Sequence, residues 1–149
     1  MIDKDYMNDY VKRLEAAFSK IMKKIGPELS KLEEGLTPPQ FFVLGLLKEK
    51  QRTVTEIAEL IQVQPSAITA ILDRMHKSGF ILRERNEDDR RVVVVQITEK
   101  GEEAFVKSNK KRLSVMTHYL SYLEKEDMEL LLNIYEKMAK IIESDIKDN

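Results

Sequence analysis

Four consecutive valines, Val92 to Val95, stand in a chain whose apolar residues otherwise recur at helical spacing. Branching at Cβ stiffens these side chains and favours extended backbone. With Gln96 and Ile97 they predict one strand, and a lone strand leaves its backbone N–H and C=O groups unpaired. Its partner has to lie close by. Phe80 to Arg85 is the other short extended stretch, and the polar residues Asn86 to Arg91 between the two read as a turn. The region is therefore expected to be a β-hairpin, and the segments on either side pack around it as helices.

Their boundaries are marked. Thr53-Val54-Thr55-Glu56 has capping-box spacing, and the helix that it opens carries Ile57, Ala58, Leu60 and Ile61 and stops near Val63. Pro65 suits the first turn of the next helix, which runs through Ile68, Ile71, Leu72 and Met75 to Gly79, a residue suited to a left-handed C-terminal position. Thr37-Pro38-Pro39-Gln40 opens an earlier helix in the same way. Two short helices joined by a tight turn and followed by a hairpin make a winged helix-turn-helix.

The flanks are helical. Tyr10, Leu14, Ala17, Phe18, Ile21 and Ile25 form one stripe over about residues 6–25, which Gly26-Pro27 is expected to interrupt. A short continuation would carry Leu29 and Leu32 inward, and Gly35 would end it. After the hairpin, Thr98 is expected to cap a helix reaching about Leu123, and a last helix should span about Lys125 to Lys147. The fold class expected is mostly α with a small β-hairpin wing.

The second helix of the pair buries Ile68, Ile71, Leu72 and Met75, so its open face carries Ser66, Ala70, Asp73 and Lys77, with Thr69 and Arg74 on the flanks. Together with Gln64 and Pro65 at its start, this end is small and hydrogen-bonding, as a helix needs to be to reach base edges in a major groove about 12 Å wide. Arg74 and Lys77 can meet phosphates, which position without reading sequence. At the hairpin tip Asp89, Arg90 and Arg91 follow Glu87 and Asp88. Arginine enters narrow minor grooves, and a neighbouring carboxylate can hold its guanidinium extended. An ordinary amphipathic helix and a solvated turn are the plain alternatives.

Charge alone does not announce nucleic acid: 25 Lys and Arg face 26 Asp and Glu, for a net charge of −1. DNA contact must rest on the placement of a few cations. Cys is absent, which removes disulfides, thiolate metal sites and thiol redox sensing. His76 and His118 have no Asp, Glu or His neighbours at tight ligand spacing, so no metal and no cofactor are expected. No phosphate loop, nucleophile elbow or paired His and Ser motif is visible, and no catalytic residue is assigned. No apolar run is long enough for a bilayer and no secretory signal is seen, so a cytoplasmic protein without membrane contact is expected.

Asp89-Arg90-Arg91, the strand Val92 to Gln96, and then Ile97-Thr98-Glu99-Lys100-Gly101 resemble the winged helix regulators of the MarR type. These carry an Asp-x-Arg wing, a strand and a Leu-Thr-x-x-Gly helix start. Ile97 in place of Leu is the one departure. Thr55 to Leu60 and Thr69 to Ile81 are similar to the family as well, and the likeness is close from about Thr37 to Gly101.

The resemblance implies a homodimer on double-stranded DNA. Residues 1–36 would form an N-terminal dimerisation region, 37–101 the DNA-binding domain and 102–149 the C-terminal dimerisation helices. It also implies a ligand-responsive repressor on a pseudo-palindromic operator, with a pocket for which Phe18, Met22, Phe41, Phe42, Met116 and Tyr119 are candidates. Without Cys, the expected inducer is a small organic molecule. A winged helix that binds proteins and reads no DNA is the alternative, and Arg90 and Arg91 discriminate between the two.

Overall fold

The computed structural model describes residues 2–31 and 35–147, the last two of these in backbone only. The elements run α1 (Lys4–Ser30), α2 (Pro38–Glu49), β1 (Arg52–Thr53), α3 (Val54–Ile61), α4 (Pro65–Lys77), β2 (Ile81–Arg85), β3 (Val93–Ile97), α5 (Glu99–Leu120) and α6 (Lys125–Lys147). They fall into two compact units, Met1–Arg112 and Leu113–Asn149.

The valine strand is the centre of a three-stranded antiparallel sheet in the order β1-β3-β2. Val95 lies opposite Arg83 on β2 and opposite Arg52 on β1. The hairpin expected from sequence is present, but β1 is an addition. At two residues it is too short to show a period, and it exists only because β3 has a free edge to pair with. The core behind this sheet is built from Val43, Leu44 and Leu47 of α2, Ile57 of α3, Ile68, Leu72 and Met75 of α4, then Phe80, Ile81, Val95 and Ala104. Each large apolar side chain buried there contributes about 1.5–3 kcal/mol. Together they fix α4 by one face.

Capping follows the sequence with one change. At Thr37 both bonds of the box form: Thr37 Oγ1 accepts from the Gln40 N–H, and Gln40 Oε1 accepts from the Thr37 N–H. At Thr53 the cap is one-sided. Its Oγ1 accepts the Glu56 N–H at 3.1 Å, while its backbone pairs with Val94.

Gly26-Pro27 does not interrupt the first helix, which runs on to Ser30. Proline removes one N–H donor, and so near the end of a helix that costs a single bond. Ser30 Oγ donates to the Gly26 carbonyl at 2.9 Å and supports the last turn. Leu32, expected in the continuation, lies outside the described residues. At the other end, α5 stops at Leu120 rather than Leu123.

The turn between α3 and α4 contains a strained residue. Gln62 caps α3 in the left-handed region, at φ 54° and ψ 48°, and is the only non-glycine residue with positive φ among the described residues. Its N–H reaches the Ala58 and Glu59 carbonyls. A side chain there costs about 1 kcal/mol that glycine escapes. Gln62→Gly is therefore expected to raise stability by about 1 kcal/mol in urea unfolding, less what the more flexible unfolded chain takes back. A loss of stability would contradict this reading of the turn.

Candidate nucleic-acid interface

With Ile68, Leu72 and Met75 buried, α4 turns Ser66, Thr69, Ala70, Asp73, Arg74 and Lys77 to solvent. Ile71 is half-buried rather than fully inside. Gln64 is the N-cap residue and makes no side-chain capping bond, and Pro65 occupies the first turn. Both are exposed. Thr69 Oγ1 donates to the Pro65 carbonyl at 3.0 Å. Its hydroxyl proton is thus held by its own helix, and it offers the outside a methyl group and acceptor lone pairs.

Asp73 stands on this exposed face, as its position on the helix predicts, but it is paired there. Arg83 of β2 donates to it at 2.5 Å. This pair is not legible in the sequence, since the two residues sit ten apart on different elements. A half-exposed ion pair contributes at most about 1 kcal/mol to stability, but it joins the middle of α4 to the base of the wing.

The wing tip is closed by its own polar groups. Asn86 Oδ1 accepts the N–H of Asp88 at 2.8 Å and of Asp89 at 3.3 Å. Asp89 then takes Arg91 in a fork: Oδ1 accepts from Nε at 3.1 Å and Oδ2 from Nη2 at 3.3 Å, while Oδ1 also accepts the Arg91 backbone N–H. The Arg91 side chain is nonetheless 92% exposed, so it is oriented without being covered. Arg85 Nη1 donates to the Arg90 carbonyl at 2.8 Å and leaves the exposed Arg90 side chain to project. The side chain and then the backbone N–H of Arg91 hold the Asp89 carboxyl below its ordinary value. The fork is therefore complete above the usual carboxylate range and is released only as pH falls through that lowered value.

A cleft of about 550 Å³ separates helix from wing, and Thr55, Thr69, Arg83, Arg91 and Val92 are among its walls. Thr69 of α4 and Arg91 of the wing thus line one surface.

A second cavity, of about 170 Å³, lies between α1 and α2. Met22, Phe41 and Phe42 line it together with Leu29, Pro38 and Arg112. Phe41 stacks on Phe105 with ring centroids 4.9 Å apart, and the Arg112 guanidinium lies 4.7 Å from the Phe41 ring and 5.5 Å from Phe42. Arg112 is not legible as a lining residue in the sequence, because nothing distinguishes it from its neighbours in the run Lys110-Lys111-Arg112. Phe18 is exposed and is not among the lining residues, and Met116 and Tyr119 belong to the unit 113–149. Among the described residues no helix is long and apolar enough to cross a membrane, and no group of three His, Cys, Asp or Glu could hold a metal ion.

Residues 36–93 match the model of the MarR family. The HTH-type transcriptional repressor MdtR of Bacillus subtilis (strain 168) is 38% identical over 144 residues, which cover 96% of this chain and 92% of the relative. The chain belongs to the MarR family. Solved MarR-type structures share its architecture over nearly the whole length. The YusO protein from Bacillus subtilis, 36% identical, matches with a TM-score of 0.70 over 94% of this chain and 99% of its own. A MarR family protein from Bacillus stearothermophilus, 25% identical, matches with a TM-score of 0.78 over 95% and 99%. As a MarR-family protein the chain is a DNA-binding transcriptional regulator with a winged helix-turn-helix fold.

Proposed function

We propose that this MarR-family regulator binds a pseudo-palindromic operator as a homodimer and acts as a ligand-released repressor in the cytoplasm. Helix α4 enters the major groove, where Ser66, Thr69 and Ala70, with Gln64 and Pro65 at the helix start, meet base edges. Arg74 and Lys77 lie farther along and pair with phosphates. Arg90 and Arg91 reach the flanking minor groove, with Asp89 setting the direction of Arg91. One observation carries this reading: Thr69 and the carboxylate-held Arg91 line the same cleft. A helix and an arginine finger on one surface fit adjacent grooves of one half-site.

The homodimer is supported by the open apolar faces of the terminal helices. Tyr10, Leu14, Phe18 and Ile21 of α1 and Tyr135, Met138 and Ile142 of α6 are each at least half exposed, and no residue of α1 is buried. Contiguous apolar surface of this extent on a soluble chain calls for a partner. Residues 1–36 and 102–149 are accordingly assigned to dimerisation and 37–101 to DNA. Repression is the role named for MdtR, a relative that matches over 96% of this chain. The cavity containing Met22, Phe41 and Phe42 is the proposed inducer site, for a small organic molecule. To release DNA, such a molecule must bind the DNA-incompetent state more tightly than the other.

Base reading by α4 is tested by replacing Ser66 and Thr69 together with Ala. Operator affinity is expected to fall by about tenfold or more, with binding to random duplex nearly unchanged. Equal losses on both DNAs in a mobility-shift titration would contradict base contact by this helix.

A further inference from the structure

The C-terminal end of α4 is held by a helix that carries none of the DNA-contacting residues. Three successive carbonyls leave that end, and all three are taken by the start of α5. Lys100 Nζ donates to the Ser78 carbonyl at 2.8 Å. Thr98 Oγ1 donates to the Gly79 carbonyl at 2.6 Å. The Thr98 backbone N–H donates to the Phe80 carbonyl at 3.0 Å. The Lys100 ammonium also lies 5.3 Å from the centroid of the Phe80 ring, and its Cδ passes 3.6 Å from where a side chain on Gly79 would begin. The Lys100 stem therefore crosses the turn that ends α4. A cation there also suits the negative end of the helix dipole.

We infer that Lys100 and Thr98 are positioning residues for operator recognition, fixing the angle at which α4 enters the groove. The inference rests on α4 being the recognition helix. Base-edge hydrogen bonds demand a set helix angle, whereas phosphate contacts through long cationic side chains tolerate a change of tilt. Loosening the far end of α4 is thus a loss for the operator and not for random DNA. The core holds one face of α4 through Ile68, Leu72 and Met75, and Arg83 holds Asp73 at its middle, which leaves the C-terminal end to be set by α5.

The test compares Lys100→Met with Lys100→Arg in the full chain, on operator and random duplex across a salt series. Methionine keeps an apolar stem over Phe80 and removes the charged donor. Lys100→Met is expected to lower operator affinity on the order of tenfold, the effect of one charged hydrogen bond. Random-duplex affinity and the salt slope should stay at the parent values, and Lys100→Arg should restore operator affinity. Parallel losses on both DNAs with a slope shallower by about 0.9 per site would make Lys100 a phosphate contact and overturn the inference. Unchanged operator affinity would overturn it too. Thr98→Val against Thr98→Ser repeats the comparison at the second contact, and if the valine variant fails to fold the Lys100 pair alone decides. Loss of operator preference in the Ser66 and Thr69 variant, alongside an unaffected Lys100→Met, would separate failure here from failure of α4 as the reading helix.

Discussion

Gly101→Ala is expected to cost the fold a large share of its stability. A Cβ at position 101 would stand 2.2 Å from the Phe80 carbonyl oxygen and 2.9 Å from Ile97 Cγ1. The first contact is with backbone, and that backbone is pinned. The Phe80 carbonyl accepts the Thr98 N–H, the Phe80 N–H donates to the Met75 carbonyl at 3.0 Å, and Ile97 pairs with Ile81 in the sheet. Relief would require α5 to back away from the end of α4, breaking the Thr98 bonds and opening the core at Phe80 and Ala104. Forced expansion of a packed site costs about 1–3 kcal/mol, and a clash with pinned backbone stands at the upper end of that range or above it. Against a total stability of about 5–15 kcal/mol, that removes much of the margin. Thermal denaturation monitored by circular dichroism reads it directly. A melting temperature within about two degrees of the parent would mean that the close approach is not held in solution. Gly79→Ala offers a scale. There φ is +79°, but the added carbon would meet only the Lys100 stem at 3.6 Å, so the cost is the backbone strain of about 1 kcal/mol.

The largest effect on binding is expected from removing both wing arginines. Arg90→Ala with Arg91→Ala takes four cations from a dimer and leaves Asp89 without its partner, near phosphate. At about 1 kcal/mol per lost contact, operator affinity should fall on the order of 10³-fold near physiological salt. The plot of log affinity against log salt should flatten by up to about 0.9 for each cation that displaced a counterion. Both side chains are exposed and neither enters the core, so thermal unfolding and the dimer should match the parent. Retained affinity would remove the wing from the interface and favour a protein partner for this face.

Much of the fold could be read from punctuation. Thr37, Thr53, Pro65 and Gly79 marked helix ends by local chemistry that does not depend on the rest of the chain, and the valine run could only be a strand. What escaped depends on tertiary partners. β1 is two residues long and is defined by its pairing with β3. Pro27 looked like a stop because the penalty of proline depends on how many turns follow it, and here less than one turn does. In the candidate interface, the open placement of Ser66 and Thr69 and the turn at Asp89-Arg90-Arg91 are legible from residue type and spacing. The Arg83–Asp73 pair is not, nor is the grip of Lys100 on Ser78, because each joins residues from separate elements. The Thr-x-x-Gly spacing at 98–101 was visible as a pattern. Its physical content is tertiary: Thr98 bridges Gly79 and Gly101, and Gly101 presses against Phe80.

The proposed docking of α4 and the wing in neighbouring grooves is tested most directly by cleavage from tethered iron chelates. The sequence contains no Cys, so a Ser66→Cys or an Arg90→Cys variant carries one unique attachment point per protomer. The chelate at position 66 is expected to cut within the major groove of each half-site. The chelate at position 90 should cut in the flanking minor groove, and both patterns should repeat about the operator dyad. Cleavage from position 66 that is absent, or spread evenly along the duplex, would contradict recognition by α4.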